Sequence, residues 1–254
     1  MTSTRSVRHW RLKTLTVPWL RVAGISALVL LGAILVVACG GNGGGGSASG
    51  CDEVDKVIPP ITQIIDATGD GAGNMLSNVT SVAVDSSGNV YVASLDTYNV
   101  FQITPSGAIT EIIDITGDGA GNMLIDPRGV AVDSIGNVYV AGLGTDNVFQ
   151  ITPGGAITEI IDATGDGAGN ILDRPNSVAV DSSGNVYFSA GSIDKVFQIT
   201  PGGAITQIID ATGDGAGNAL SGLRDIAVDS DDNVYVVGRL SDNVFQIPTV
   251  PECP

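Results

Sequence analysis

The sequence predicts an all-β fold, a four-bladed β-propeller, and three observations carry that expectation. First, a 48-residue unit recurs four times without insertion: IIDATGDGAGN begins at Ile64, Ile112, Ile160 and Ile208, with Ile115 replacing the alanine in the second copy. Second, the rest of the unit keeps the same step, AVD starting at Ala83, Ala131, Ala179 and Ala227, and VFQI at Val100, Val148, Val196 and Val244. Third, each unit holds short runs of Val, Ile, Tyr and Phe separated by glycine- and proline-bearing turns, with no helical periodicity. A fixed period of about 40 to 50 residues with several short β segments marks propeller blades, because one blade cannot bury both faces without neighbours.

Taking the chain in order, residues 1–21 carry Arg5, Arg8, Arg11, Lys13 and Arg21 and no acid, and an apolar run from Val22 to Ala38 follows. This reads as an export signal spanning residues 1–38. The run ends in Val36-Val37-Ala38-Cys39, which resembles the lipobox of bacterial lipoproteins. That resemblance implies lipidation of Cys39 as the mature N-terminus and a membrane anchor on the periplasmic or cell-surface side. The alternative is an uncleaved membrane helix, for which 17 apolar residues are just long enough. Residues 39–60, with GGNGGGGSASG directly after Cys39, read as a flexible tether.

Within a unit, VTSVAVDSS predicts strand A, and Gly88-Asn89 the tight reversal into strand B, NVYVAS. After a variable stretch comes strand C, NVFQI; the turn Pro105-Ser106-Gly107 then leads into strand D, AITEIID. The glycine-rich TGDGAGN joins strand D of one blade to strand A of the next. The repeat array, 61–248, opens on strand D at 61–66 and ends on strand C at 244–247. The N-terminal strand is therefore expected to close the last blade, giving 16 strands in one ring without a free edge. Residues 249–254 form a tail holding Cys253; Cys51 and Cys253 flank the expected seam and read as one disulfide, which favours a monomeric ring over the alternative, two chains combining into one eight-bladed assembly.

The repeat motif GVAVDSIGNVYVAG, with its neighbours over about residues 61–247, looks like the NHL repeat and is similar in pattern to the SMP-30/gluconolactonase-like propellers. The resemblance implies a propeller with a ligand site at one end of its central channel. For the gluconolactonase-like branch it implies a divalent metal held by carboxylate and amide side chains and hydrolysis of lactones.

Composition limits the chemistry. Removing residues 1–38 leaves six basic residues against 27 acidic ones, a net charge of −21, which opposes nucleic-acid binding. It also removes His9, Trp10 and Trp19, so the remaining chain has no histidine for a Ser-His-Asp or Cys-His system or a histidine metal site.

Comparing the four units with one another locates two variable segments. At the start of strand A the units read SNVT, IDPR, DRPN and SGLR, placing Thr80, Arg128, Asn176 and Arg224 at one equivalent position, with Asp225 following. The B–C connections contain Asp96, Tyr98 and Arg239. Together these residues, four of them cations or hydrogen-bonding partners at a shared position, are candidates for binding a small anionic ligand or an acidic partner. A second candidate is the acidic loop, with Asp66, Asp70 and Asn74 repeated as Asp114, Asp118 and Asn122, as Asp162, Asp166 and Asn170, and as Asp210, Asp214 and Asn218. The spacing resembles a calcium loop, with oxygens at positions 1, 3, 5 and 9 and glycine at 6, but position 12 holds Ser77, Ile125, Asp173 or Ser221 instead of glutamate. The other reading of these aspartates is as acceptors of backbone N–H groups in a glycine-rich turn. The function expected is non-enzymatic: a lipid-anchored, extracytoplasmic propeller presenting a binding surface for a protein or small ligand. A metal-dependent lactone hydrolase is the alternative.

Overall fold

A computed structural model describes residues 60–248; the expected signal, lipid anchor, most of the tether and the Cys51–Cys253 pair lie outside the described residues. Among the described residues there are fifteen strands and no helix. The first blade holds β1 (Val79–Val84), β2 (Val90–Ser94), β3 (Asn99–Ile103) and β4 (Ile109–Ile113). The second holds β5 (Pro127–Val132), β6 (Val138–Gly142), β7 (Asn147–Ile151) and β8 (Ile157–Ile161). The third holds β9 (Val178–Val180), β10 (Val186–Ala190), β11 (Lys195–Ile199) and β12 (Ile205–Ile209), and the fourth β13 (Leu223–Val228), β14 (Val234–Gly238) and β15 (Asn243–Ile247). Strands pair in sequence order within each blade, every pairing being antiparallel. The protein is thus an all-β, four-bladed β-propeller.

Local chemistry fixes each hairpin. In the first blade Asp85 closes the turn between β1 and β2: its Oδ1 accepts the amides of Ser87 and Asn89, both at 2.9 Å, and its Oδ2 accepts the Asn89 side-chain amide at 2.7 Å. The Tyr91 hydroxyl donates to the same Oδ2 at 3.0 Å. The arrangement recurs at Asp133, Asp181 and Asp229, so one aspartate per unit sets the register of strands A and B.

The core lies between blades. Tyr91, Ala93 and Val100 of the first blade pack on Val130, Val140 and Phe149 of the second. The same face-to-face arrangement joins the second blade to the third, around Phe188 and Phe197, whose rings stack with centroids 5.7 Å apart. Val196 and Ile209 of the third blade meet Ile226 and Val236 of the fourth. Each fully buried side chain of this size stabilises by about 1.5–3 kcal/mol, which is why nearly unbroken Val/Ile/Phe runs are needed on both faces.

The expected closing strand does not form. Residues 61–66 carry no strand, and β15 has no neighbour on its outer edge among the described residues, so the fourth blade has three strands instead of four. A strand exists through its ladder partner. Val82 on β1 and Val244 on β15 both remain exposed, so the first and fourth blades of one chain do not cover each other.

Candidate functional site

The innermost strands of the four blades line a cleft of about 570 Å³, bounded by residues 78–82, 128–130, 176–178 and 224–226. Its side chains are positioned by a backbone irregularity that the repeat reproduces. In β1, Val79 pairs with Ser94 and Ser81 with Ala93, so Thr80 is an extra residue in a bulge. Arg128 is the extra residue of β5, between Pro127 and Gly129, and Arg224 that of β13, between Leu223 and Asp225. A bulge frees one side chain from the ladder and turns it aside. In the third blade the shorter β9 begins at Val178, and Asn176 lies just before it.

These equivalent residues divide into two kinds. Thr80 and Asn176 tie their blade to the next: the Thr80 hydroxyl donates to the Pro127 carbonyl at 2.9 Å, and the Asn176 amide to the Leu223 carbonyl at 3.2 Å. Asn176 Oδ1 also accepts the Ser189 hydroxyl at 2.6 Å. One residue on, Ser177 donates to Asp225 at 2.8 Å, whereas the equivalent Gly129 leaves room for a close approach, a Cβ there falling 2.9 Å from the Val178 amide nitrogen. Arg128 and Arg224 have no such duty. Arg128 Nε is buried without an acceptor, and neither guanidinium has a hydrogen-bond or ion-pair partner among the described residues.

The cleft thus brings together Thr80, Arg128, Asn176, Arg224 and Asp225, and leaves out Asp96, Tyr98 and Arg239. Asp96 is engaged at the B–C turn, accepting the Ser77 hydroxyl and the Asn78 side-chain amide, both at 3.2 Å. Tyr98 holds the left-handed turn position, φ 55°, that Asp146, Asp194 and Asp242 hold in the other blades. Arg239 is exposed, with its backbone amide donating to the Gly222 carbonyl. Sequence reading missed Ser177, whose place beside Asn176 gave no signal of its contact with the next blade.

In the acidic loops the aspartates act as hydrogen-bond acceptors. Asp66 Oδ1 accepts the Thr68 amide and hydroxyl at 2.9 and 2.6 Å. Asp70 Oδ1 accepts the amides of Ala72 and Asn74, and its Oδ2 the Asn74 side chain at 2.7 Å. The same bonds recur in the other three loops, around Asp114, Asp118 and Asn122, Asp162, Asp166 and Asn170, and Asp210, Asp214 and Asn218. The Thr68 hydroxyl holds Asp66 below the usual carboxylate range, and the Ala72 amide does the same for Asp70. Among the described residues no three His, Cys, Asp or Glu side chains gather as a metal group would. Glu111 and Glu159 lie apart in strand D, half-buried and pushed up by that burial, each accepting an asparagine side chain, from Asn99 at 2.8 Å and from Asn147 at 2.9 Å.

Comparison with known proteins supports the architecture. A family model described as a β-propeller repeat (SBBP) matches residues 119–150. No curated protein sequence matches the chain. Among solved structures, virginiamycin B lyase from Staphylococcus aureus superposes with a TM-score of 0.54 at 20% identity, over 68% of this chain and 53% of that one. A putative gluconolactonase superposes at 0.54 and 14% identity, over 75% of this chain and 63% of its own. A gluconolactonase from Xanthomonas campestris does so at 0.53 and 15%, over 70% and 60%. The chain therefore spans between about half and under two thirds of these relatives' lengths. It is a four-bladed β-propeller carrying a β-propeller repeat and similar in structure to gluconolactonase-like propellers.

Proposed function

We propose that this protein is a non-enzymatic binding module whose inner-strand cleft takes a small anionic ligand, a carboxylate or phosphate compound. The observation that carries this reading is the pair Arg128 and Arg224, two bulge residues at one repeat position, both in the cleft and both unpartnered within a strongly acidic chain. A guanidinium donates to oxyanions through a fixed fork, and a buried nitrogen without an acceptor leaves hydrogen-bonding capacity for a ligand. The export signal and the lipobox-like Cys39 support placement of the module outside the cytoplasmic membrane, held by a lipid.

Titration calorimetry with inorganic phosphate, citrate and a sugar phosphate tests this directly. At least one should bind, and Arg128→Gln and Arg224→Gln should each weaken it by about tenfold or more, the loss of one charge-assisted hydrogen bond. Heat of binding unchanged in both variants would place any ligand elsewhere.

The second reading, metal-dependent lactone hydrolysis, is favoured by the likeness to two gluconolactonases. The residues present do not fit a divalent cation. Asp225 is the single carboxylate in the cleft and its Oδ1 accepts Ser177, Asn176 Oδ1 accepts Ser189, and two guanidinium groups share the space.

A further inference from the structure

The repeat supplies its own control for what should cover each blade face. At one position of strand A, Val130, Val178 and Ile226 are only 6–7% exposed, because the preceding blade covers them; Val82, the equivalent in the first blade, is 62% exposed. At one position of strand C, Val100, Val148 and Val196 are fully buried against the following blade, whereas Val244 in the fourth is 63% exposed. The chain therefore presents at its two ends the two halves of the interface it makes three times internally.

The segment before the first blade fits the same scheme. ITQIID at 61–66 is identical to ITQIID at 205–210, which contains β12, and β12 pairs with β11 as Ile199 with Ile205 and Gln198 with Thr206. Ile65 packs against Leu76, Val92 and Phe101, so it is already seated on the first blade as Ile113, Ile161 and Ile209 are on the blades that follow them. What the segment lacks is a strand C beside it. β15, with the sequence NVFQI, has an open outer edge.

We infer that two copies of this chain join head to tail into one eight-bladed ring, each copy's fourth blade packing on the other's first and each copy's 61–66 segment becoming strand D of the other's fourth blade. Because a strand D always precedes the blade on which its loop continues, the segment of one copy is joined directly to the first blade on which its neighbour's fourth blade would pack, and it gains its strand there. The register carried over from the third blade pairs Ile247 with Ile61 and Gln246 with Thr62 of the other copy. Both open edges and both exposed faces are thereby removed, as a heterologous interface does when its rotation closes.

The test is the protein mass of the full chain, extracted in detergent and measured by size exclusion with light scattering. Wild-type protein should have the mass of two chains. Val82→Asp and Val244→Asp should each halve it, with unchanged circular dichroism. Mixing those two variants should restore a two-chain species, because the Val244 face of one and the Val82 face of the other remain intact. A one-chain mass for the wild type, a mass growing beyond two chains, or no reassociation on mixing would each overturn the ring. Should either variant misfold, a second measurement decides. In a background carrying Cys51→Ser and Cys253→Ser, chains with Thr62→Cys mixed with chains with Gln246→Cys should form a reductant-sensitive covalent dimer that neither forms alone, since directly opposed strand residues lie within disulfide reach. No such dimer would equally overturn the proposal.

Discussion

Ser177 of the third blade donates its hydroxyl to Asp225 of the fourth at 2.8 Å, while the same oxygen accepts the Ile226 amide at 3.1 Å. One side chain thus joins two blades and satisfies a buried backbone donor. Its equivalent, Ser81, accepts the Val130 amide at 3.2 Å, but the residue of the next blade at the Asp225 position is Gly129, which offers no carboxylate. Ser177→Ala should therefore cost about 1.5–3 kcal/mol, the loss of a hydrogen bond to a charged group, while the Ile226 amide keeps Asp225 Oδ1 at 3.0 Å as an acceptor. Ser81→Ala should cost less. Thermal melts followed by circular dichroism would separate the two, with Ser177→Ala lowering Tm by roughly 2–4 °C for each kcal/mol lost.

Stability should depend on pH in opposite senses on its two acid-side groups. Asp70, Asp118, Asp166 and Asp214 are held below their ordinary 3.8 by backbone amides and asparagine side chains. Their contribution is complete above 3.8 and is lost as pH falls below it, because the unfolded chain then takes up protons first. Glu111 and Glu159 are raised above 4.5 by burial, so their protonation just above that value favours the folded state. Tm should hold or rise slightly between pH 6 and about 4.5 and then fall. Glu111→Gln should diminish the rise. Calcium should move the curve no more than magnesium at equal ionic strength, since Asp70 already uses both carboxylate oxygens; a calcium-specific increase would mean that the loop exchanges these hydrogen bonds for an ion.

Alkali acts on the repeat tyrosines. Burial raises Tyr139 above 10.0, and burial together with the Asp181 hydrogen bond raises Tyr187 further. The stability this represents is intact below pH 10 and is lost as pH rises through the folded values. Absorbance at the phenolate band should accordingly show a late tyrosine fraction that ionises together with unfolding; simple titration near 10 with the circular dichroism unchanged would contradict it.

Two glycines of one loop should respond differently to the same change. Gly165 and Gly167 both have φ +70°, but a Cβ on Gly165 would lie 1.8 Å from the Asn170 carbonyl oxygen, whereas one on Gly167 meets nothing. Gly167→Ala should cost about 1–2 kcal/mol, the left-handed penalty alone. Gly165→Ala should cost more than about 4 kcal/mol, because the loop that leads into the next blade must open. Equal effects in urea titrations would show that the loop moves freely.

The repeat itself determined the fold class, the strand order within blades and the turn aspartates, because these follow from interactions a few residues apart that recur in every copy. The position of Thr80, Arg128, Asn176 and Arg224 was legible for the same reason: it varies where its surroundings do not. Tertiary structure alone decided which variable residues share a cleft. A bulge frees Arg128 and Arg224 from the ladder and both line the cleft, while Asp96, Tyr98 and Arg239 lie in B–C turns whose direction depends on the whole blade. It also decided closure. An identical ITQIID is a strand at 205–209 and none at 61–66, since a β-strand is made by the partner beside it, and whether Val82 meets Val244 depends on curvature accumulated over four blades, which no local pattern encodes.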